Sequence, residues 1–262
     1  MTGRAIFIGV LLVLLAALLG GVIGMSLTAG RGGPLGTAGG AAPDLAPTTI
    51  RPQDFALLPC PVETRRAFCA IVAAGGKRLL IGAPAGIGPG QLAGETQDPD
   101  AVILPVLSAD WLEGLDEIRH RTWLNGRRRA LTVSGPDGLA SIVDGLNAAY
   151  TVPDAIAYVA ADSQIEFDAA LLAAVETAPG GTLFDTGDLT VTARAGAPQT
   201  LQLVISYGGR SILLIPCGTE RLTNVPNMEN IDDAVICETV TRDASIPAST
   251  WPVTFPLFFN GP

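Results

Sequence analysis

Residues 100–118, DAVILPVLSADWLEGLDEI, join a buried strand to an amphipathic helix. The apolar run at residues 101–107 is typical of a strand that is buried on both faces. From residue 110 to residue 123, apolar side chains recur on one side of a helix, at Leu112, Leu115, Ile118 and Trp123. A chain that passes from strand to helix in this way predicts an α/β fold, in which helices cover the sheets.

Short apolar runs bounded by glycine, proline and charged residues predict further strands on both sides of this segment. Residues 55–59, 68–74 and 77–81 form a meander, and Gly75 and Gly76 make one of its turns. Residues 139–150 have the spacing of a second helix. The remaining strands are predicted at residues 130–133, 156–160, 189–193, 201–206, 211–215 and 235–237. About 210 residues take part, which is enough for one large domain with a core.

The N-terminus contains a long apolar segment, because no charged residue occurs between Arg4 and Arg31. Residues 5–25 have the length of a helix that crosses the hydrocarbon core of a bilayer. The segment is longer than the apolar region of a signal peptide, and the SLTAG that follows is a poor cleavage site. We therefore expect an uncleaved, single-pass anchor in the inner (cytoplasmic) membrane. The charge bias is weak, and it favours a cytoplasmic N-terminus with the domain outside, in the periplasm.

These features divide the chain into three parts. Residues 1–28 are the predicted transmembrane anchor, and residues 29–53 are rich in glycine, proline and alanine, which is typical of a flexible linker. Residues 54–262 form the predicted folded domain. The net charge of −9 argues against a nucleic-acid partner, because phosphate backbones are also negative. Arg127, Arg128 and Arg129 are a local exception, to be expected in a solvated loop or, alternatively, in a docking patch for acidic lipid or protein.

Four further segments match a known pattern in their order and spacing. They are RRAFCAIVAAGGKRLLIGAPAG at 65–86, GRRRALTVSGPDG at 126–138, FDTGDLTVTA at 184–193 and YGGRSILLIPCGT at 207–219. Together with residues 100–118, they resemble the metallo-β-lactamase fold, in its ribonuclease Z and arylsulfatase-like branch. The resemblance extends from about residue 55 to residue 238 and implies an αββα sandwich.

Zinc in that family is held by histidines and carboxylates and turns bound water into a nucleophile. The first ligands lie in a Thr-His-x-His-x-Asp-His motif at the end of a strand. The matching run here places Val106, Ser108 and Trp111 at the three histidine positions, and only Asp110 keeps the family residue. The resemblance therefore implies a domain that has lost its metal ligands and carries no cofactor.

The other ligand positions of the family are also changed. The next histidine should fall at residues 194–197, where there is none, and the aspartate that bridges the metals aligns with Cys217. A further aspartate aligns with Gly82. The chain ends about 24 residues beyond Glu238. That is before the last histidine strand of the family, so the resemblance implies a domain that is shorter at its C-terminus.

Other catalytic groups find little support in the sequence. His120 is the only histidine, and one histidine cannot rebuild a metal site that needs several nitrogen ligands. A Ser-His-Asp triad would have to use His120, and no Gly-x-Ser-x-Gly elbow is present. We expect His120 on the surface of a helix. Asp185 and Asp188 could act as an acid–base pair, but their position around a turn favours a cap for a hairpin.

The function expected from these observations is non-catalytic. An anchored domain without visible chemistry would act as an accessory or scaffold subunit of an integral-membrane protein complex, respiratory or photosynthetic for example. Pairing with an active paralogue is a variant of the same idea. The alternative is a membrane-bound hydrolase with a metal site rebuilt from Cys217, Cys237 and Asp110. A thiol-redox protein that uses the two cysteines is a third class.

Two structural expectations depend on these assignments. Cys60 and Cys69 should pair, because they end the first two strands, and Cys217 and Cys237 should pair, because they end strands that are neighbours in the resembled fold; buried free thiols remain the alternative. Trp111 should fill the former metal site, near Val106 and Cys217, with Asp110 capping its helix through a backbone hydrogen bond. The alternative places Trp111 on the surface, for contact with a partner.

Overall fold

The computed structural model describes residues 50–60, 69–86, 99–161, 165–196, 198–216, 229–236 and 257–259. The chain divides into two units, Met1–Thr48 and Thr49–Pro262, and all the described residues belong to the second. The predicted anchor at residues 5–25, Cys217 and Cys237 lie outside the described residues. Within the described part of the chain, no helix combines the length and apolar character that a membrane crossing requires.

Seven strands form the larger sheet, in the order β12-β1-β2-β3-β4-β5-β6. The pairs β3–β4, β4–β5 and β5–β6 are parallel, whereas β12–β1, β1–β2 and β2–β3 are antiparallel. The strands are β1 (Phe55–Pro59), β2 (Ala70–Ala74), β3 (Lys77–Ile81), β4 (Ala101–Ile103), β5 (Leu131–Gly135), β6 (Leu172–Glu176) and β12 (Leu257–Phe259).

Five strands form the smaller sheet, in the order β11-β10-β9-β8-β7. Its pairs are antiparallel, except that β11 runs parallel to β10. The strands are β7 (Thr182–Asp185), β8 (Leu189–Ala195), β9 (Leu201–Tyr207), β10 (Arg210–Ile215) and β11 (Asp233–Ile236).

Two apolar clusters hold the layers together. One lies between the sheets and joins residues of both, from Leu57 and Ile103 to Leu203 and Leu214. The other lies on the opposite face of the larger sheet, against the helices α1 (Ala109–Leu112), α2 (Leu115–Leu124) and α3 (Leu139–Ala160). The described residues thus form three layers of the predicted αββα sandwich. A helical layer on the smaller sheet stays a prediction.

A disulfide bond joins Cys60 and Cys69 at the facing ends of β1 and β2. Their α-carbons are 5.2 Å apart, and the Cys60 N–H donates to the Cys69 carbonyl at 3.1 Å. This is the pairing expected for these two residues from the ends of their strands. The pairing of Cys217 with Cys237 stays a prediction.

The helix predicted at residues 110–123 is divided into α1 and α2 at Gly114. The Gly114 N–H donates to the Ala83 carbonyl at 2.8 Å, and a Cβ at this position would lie 2.1 Å from the Pro84 carbonyl oxygen. The backbone just after β3 therefore occupies the space that a side chain would need. The Gly114 N–H bonds to this backbone instead of to a carbonyl of its own helix, and the helix is therefore interrupted at Gly114.

The strand predicted at residues 156–160 is wrong, since α3 continues through them to Ala160. The prediction assumed that this apolar run is buried in a sheet. In the structure it lies on a helix, and Ile156 and Val159 are 67% and 79% exposed. Three strands, β6, β7 and β12, were not predicted. Helix α3 is instead anchored at Asp154, the only charged residue in its second half, which is buried.

Asp154 forms a buried ion pair with Arg119 of α2, whose side chain is fully inaccessible to solvent. The guanidinium donates to both carboxylate oxygens, at 2.7 and 2.9 Å, and to the Ala170 carbonyl. It also stacks on the Tyr150 ring, 4.5 Å from its centre. This network, together with the packing of Ala157 and Tyr158 against the Trp123 cluster, attaches the second half of α3 to the domain.

We expect Gly114→Ala to destabilise the domain, because the new methyl group would collide with the Pro84 carbonyl. Overpacking of this kind costs about 1–3 kcal/mol or more. Gly145→Ala is the matched control, since nothing lies within 4 Å of a Cβ there and alanine favours a helix by about 1 kcal/mol. Thermal unfolding of the full chain measures both, and an unchanged midpoint for Gly114→Ala would contradict the close contact.

Candidate functional site

The loop that follows β4 connects the two sheets at one end of the sandwich. The Leu104 N–H donates to the Ser134 carbonyl of β5 at 2.8 Å. Two residues later, Val106 forms an antiparallel bridge with Thr200, and the Leu201 N–H donates to the Pro105 carbonyl at 2.9 Å. Residues 104–106 thus run from the larger sheet to the start of β9. In the resemblance, this loop begins the metal-ligand motif.

Ser108 and Asp110 face the solvent on α1. Ser108 occupies the N-cap position, with φ −112° and ψ 159°, and its side chain makes no capping hydrogen bond. The prediction that Asp110 caps the helix is wrong. Asp110 is the second residue of α1, in its first turn, whereas the N-cap residue precedes the helix.

Trp111 points in the opposite direction and is only 2% exposed. Its side chain belongs to the cluster between the sheets, and Val106 packs against the same cluster. The burial of Trp111 contradicts the alternative in which it lies on the surface. Cys217, the other expected neighbour, lies outside the described residues.

The remaining positions that align with ligands of the family make backbone hydrogen bonds or lie at the end of a strand. Gly82 is buried with φ 84°, and its N–H donates to the Ile103 carbonyl at 2.8 Å. Of residues 194–197, Arg194 and Ala195 end β8, and Gly196 donates its N–H to the Thr200 carbonyl at 3.1 Å. The structure therefore brings Val106 and Trp111 into one apolar core, with Ser108 and Asp110 outside it.

These residues do not fit a zinc ion. Val106 and Trp111 offer no metal-binding atom, and Ser108 and Asp110 are turned toward solvent. Among the residues that the structure describes, no three histidine, cysteine, aspartate or glutamate side chains gather in a way that could hold a metal.

An open cleft of about 360 Å³ lies beside the Val106–Thr200 bridge. It lies between the β5–α3 turn, the loop before β7 and the β8–β9 hairpin, and its lining includes Asp137, Thr177 and Thr200. Close to it, the Glu176 carboxylate accepts hydrogen bonds from the Gly138 and Ala140 N–H groups, at 2.8 and 2.9 Å. The N-terminus of α3 therefore already has a resident anion.

The other candidate groups have structural roles. His120 is half-buried on α2 and makes an edge-to-face contact with Trp123, at 6.0 Å between ring centres. Asp185 accepts a hydrogen bond from the Gly187 N–H at 2.7 Å, which caps the β7–β8 turn as expected. Asp188 is exposed.

A buried network of charged groups lies elsewhere, around the Arg119–Asp154 pair, which the sequence analysis did not predict. The Tyr150 hydroxyl donates to Asp116. This hydrogen bond, and burial to a smaller extent, raise the pKa of Tyr150 above its usual value. One signal was present in the sequence: Asp154 is the single charge between residues 145 and 160.

Comparisons with known proteins support the fold. No family model matches the chain, and no curated protein sequence matches it. Human tRNase Z, short form, is 16% identical with a TM-score of 0.51, over 73% of this chain and 80% of that one. The metallo-β-lactamase fold protein YhfI from Bacillus subtilis is 15% identical with a TM-score of 0.44, over 62% and 61% of the two chains.

Zn²⁺-bound PqqB from Methylobacterium extorquens is 17% identical, with a TM-score of 0.42 and 62% of each chain covered. The chain thus spans about three-fifths of the length of YhfI and PqqB. Its mixed sheets match the metallo-β-lactamase fold. At these identities, the likeness concerns the fold alone.

We expect Trp111→Ala to destabilise the domain by about 3–5 kcal/mol, because a large buried side chain leaves a cavity between the sheets. For a domain of this size, the loss lowers the unfolding midpoint by about 6–20 °C. Trp111→His should be similarly harmful, and Trp111→Phe less so. Leu124→Ala is the control, because Leu124 is 45% exposed. A loss no larger than that of the control would show that Trp111 does not fill the core.

Proposed function

We propose that this chain is a non-catalytic protein of the metallo-β-lactamase fold, anchored in a membrane, that acts as an accessory or scaffold subunit of a larger membrane protein complex. The observation that carries the proposal is the position of Trp111. It aligns with a zinc-ligating histidine of the resembled family, and its side chain is buried between the sheets with Val106 beside the same core.

The chemistry follows from the atoms that are present. A zinc site needs several nitrogen, oxygen or sulfur donors that converge on one point. If the donors alone were removed, a polar hole would remain, and unsatisfied polar groups are costly to bury. Apolar side chains at two of these positions avoid that cost. They stabilise the fold at the place where the family performs its chemistry.

The anchor and the disulfide support a location at the outer face of a membrane. Residues 5–25 are long and apolar enough to span a bilayer, and residues 29–53 would tether the domain beside it. The Cys60–Cys69 disulfide persists in oxidising compartments, such as the periplasm. A domain held there without catalysis offers its surface to a partner. The partner we propose is an integral-membrane complex, respiratory or photosynthetic for example, or an active paralogue of the same fold.

Metal analysis tests the non-catalytic part of the proposal. The full chain, purified in mild detergent without chelator, should contain far less than one zinc per chain. Its unfolding midpoint should stay the same with added zinc or with EDTA, because no bound metal contributes to stability. One zinc per chain, together with a midpoint that EDTA lowers, would establish a rebuilt metal site and overturn the proposal.

Native gel electrophoresis of membranes solubilised in mild detergent tests the scaffold part. We expect the chain to migrate in one discrete complex with other membrane subunits in fixed ratio. The control is a chain in which an unrelated transmembrane helix replaces residues 5–25. It should still join the complex if the domain recognises the partner, and it should not if the anchor does. Migration of the native chain without any other subunit would contradict a scaffold role.

A further inference from the structure

The predicted linker joins the folded domain at the β2–β3 hairpin. The Pro52 carbonyl accepts hydrogen bonds from the Gly76 N–H at 3.1 Å and from the Tyr207 hydroxyl at 3.4 Å. The Asp54 N–H donates to the Arg51 carbonyl at 3.0 Å. These bonds fix the last residues of the linker, so the chain leaves the sandwich at the edge where β3 begins.

Basic side chains collect at the same edge. Because β3, β4 and β5 are parallel, their first residues lie side by side. Lys77 and Arg78 begin β3, and Arg51 lines one cavity with them. Arg128 and Arg129 are exposed just before β5, two strands or about 10 Å away. We call these five residues the basic edge.

Most of this charge has no ion-pair partner. Arg51 and Lys77 are paired, with Asp54 and Asp100 respectively, at 2.8 Å in each case. The other three members of the basic edge form no ion pair with any carboxylate that the structure describes. On a chain with a net charge of −9, this edge is therefore a local site of positive potential, which attracts anions.

An open cavity of about 230 Å³ lies at the basic edge, between the end of the linker and the β2–β3 hairpin. Its lining includes Ile50, Pro52 and Arg78. The volume is below the roughly 300–1,000 Å³ of pockets for drug-sized ligands, and it suits a smaller group. Arg78 is half-buried, and burial lowers the pKa of its guanidinium. An anion in the cavity would supply the counter-charge that Arg78 lacks.

Position and charge together favour the headgroup of a membrane lipid as that anion. A flexible linker of about 20 residues spans about 25 Å on average. A domain tethered at this edge keeps the edge close to the bilayer, where the effective concentration of headgroups is high. A lipid phosphate also accepts two parallel hydrogen bonds from one guanidinium, which is the strong form of this contact.

We propose that the basic edge binds the phosphate groups of anionic phospholipids, with one headgroup in the cavity at Arg78. The domain then lies against the membrane, and the edge at which β3, β4 and β5 end points away from it. This proposal rests on the membrane anchor of the proposed function, but not on the absence of catalysis or on a larger complex. Either result of the zinc analysis leaves it unchanged.

Fluorescence quenching in bilayer discs tests the orientation. The full chain is reconstituted in phosphatidylcholine, with or without phosphatidylglycerol, and the quencher is attached to lipid headgroups. A dye on Asn125→Cys reports from beside the basic edge, and a dye on Asp137→Cys reports from the other end of β5; both residues are exposed. The unaltered chain shows how far its own cysteines are labelled.

We expect the Asn125→Cys dye to be quenched strongly once phosphatidylglycerol is present, and the Asp137→Cys dye to be quenched little in either bilayer. Equal quenching at the two positions in discs that contain phosphatidylglycerol would contradict the proposal.

Arg78→Gln tests the cavity itself. Phosphatidylglycerol is titrated into detergent micelles of the full chain, and the unfolding midpoint is followed, because a ligand of the folded state raises it. One arginine at an anionic surface is worth about a fivefold change in affinity, so Arg78→Gln should weaken binding about fivefold or more. Arg194→Gln, near the end of β8 at the opposite edge, removes the same charge and should leave the affinity unchanged. An equal loss in both variants would show an effect of net charge alone and overturn the site.

Inorganic phosphate in the same titration separates a free anion from a lipid. It should raise the midpoint far less than phosphatidylglycerol does, and phosphatidylcholine should not raise it. An equal rise with inorganic phosphate, or no rise with phosphatidylglycerol, would overturn the lipid assignment. This titration does not require residues 5–25 to span a bilayer, so failure of the anchor and failure of the lipid site would be separate results.

Discussion

The backbone that leaves β3 is the constraint on which this end of the molecule depends. Gly82 donates its N–H to the Ile103 carbonyl, and Ala83 donates to the Trp111 carbonyl at 2.9 Å. The Gly114 N–H returns to Ala83, which is possible only because Gly114 has no side chain. These contacts hold α1 against the larger sheet. They turn the Trp111 indole inward, and Ser108 and Asp110 therefore face the solvent.

Much of this fold could be predicted where local chemistry decides it. Strands β1 and β3 begin and end as predicted, because a short apolar run and the Gly75-Gly76 turn are local signals. The Cys60–Cys69 pair follows from the strand ends. The prediction that Asp110 caps the helix failed because the N-cap position lies two residues earlier, at Ser108. The strand predicted at residues 156–160 was wrong because apolar character alone does not distinguish a buried run from an exposed one.

Interactions between distant residues could not be predicted from the pattern. Arg119 and Asp154 are 35 residues apart, and only the packing of α2 on α3 brings them together. Removing one partner of such a buried pair leaves an uncompensated charge and costs about 3–5 kcal/mol. The Val106–Thr200 bridge could not be predicted for the same reason. Its residues are distant in sequence, and it joins two sheets whose strands pair separately. The burial of Trp111 was predicted from its alignment with a metal-binding histidine of the resembled family, because an apolar side chain would fill the space of the lost site.

The left-handed backbone of Gly82 has an evolutionary consequence. An aspartate there would adopt a conformation that costs about 1–2 kcal/mol in L-residues, and a histidine at Trp111 would open a cavity. Domains have only about 5–15 kcal/mol of stability to lose. Each of these two changes would therefore lower the stability of the fold before a full set of ligands could hold a metal. Substitutions on the exposed surface usually change stability by less than about 0.5 kcal/mol, so the surface of this protein can change far more freely than this edge of the sandwich.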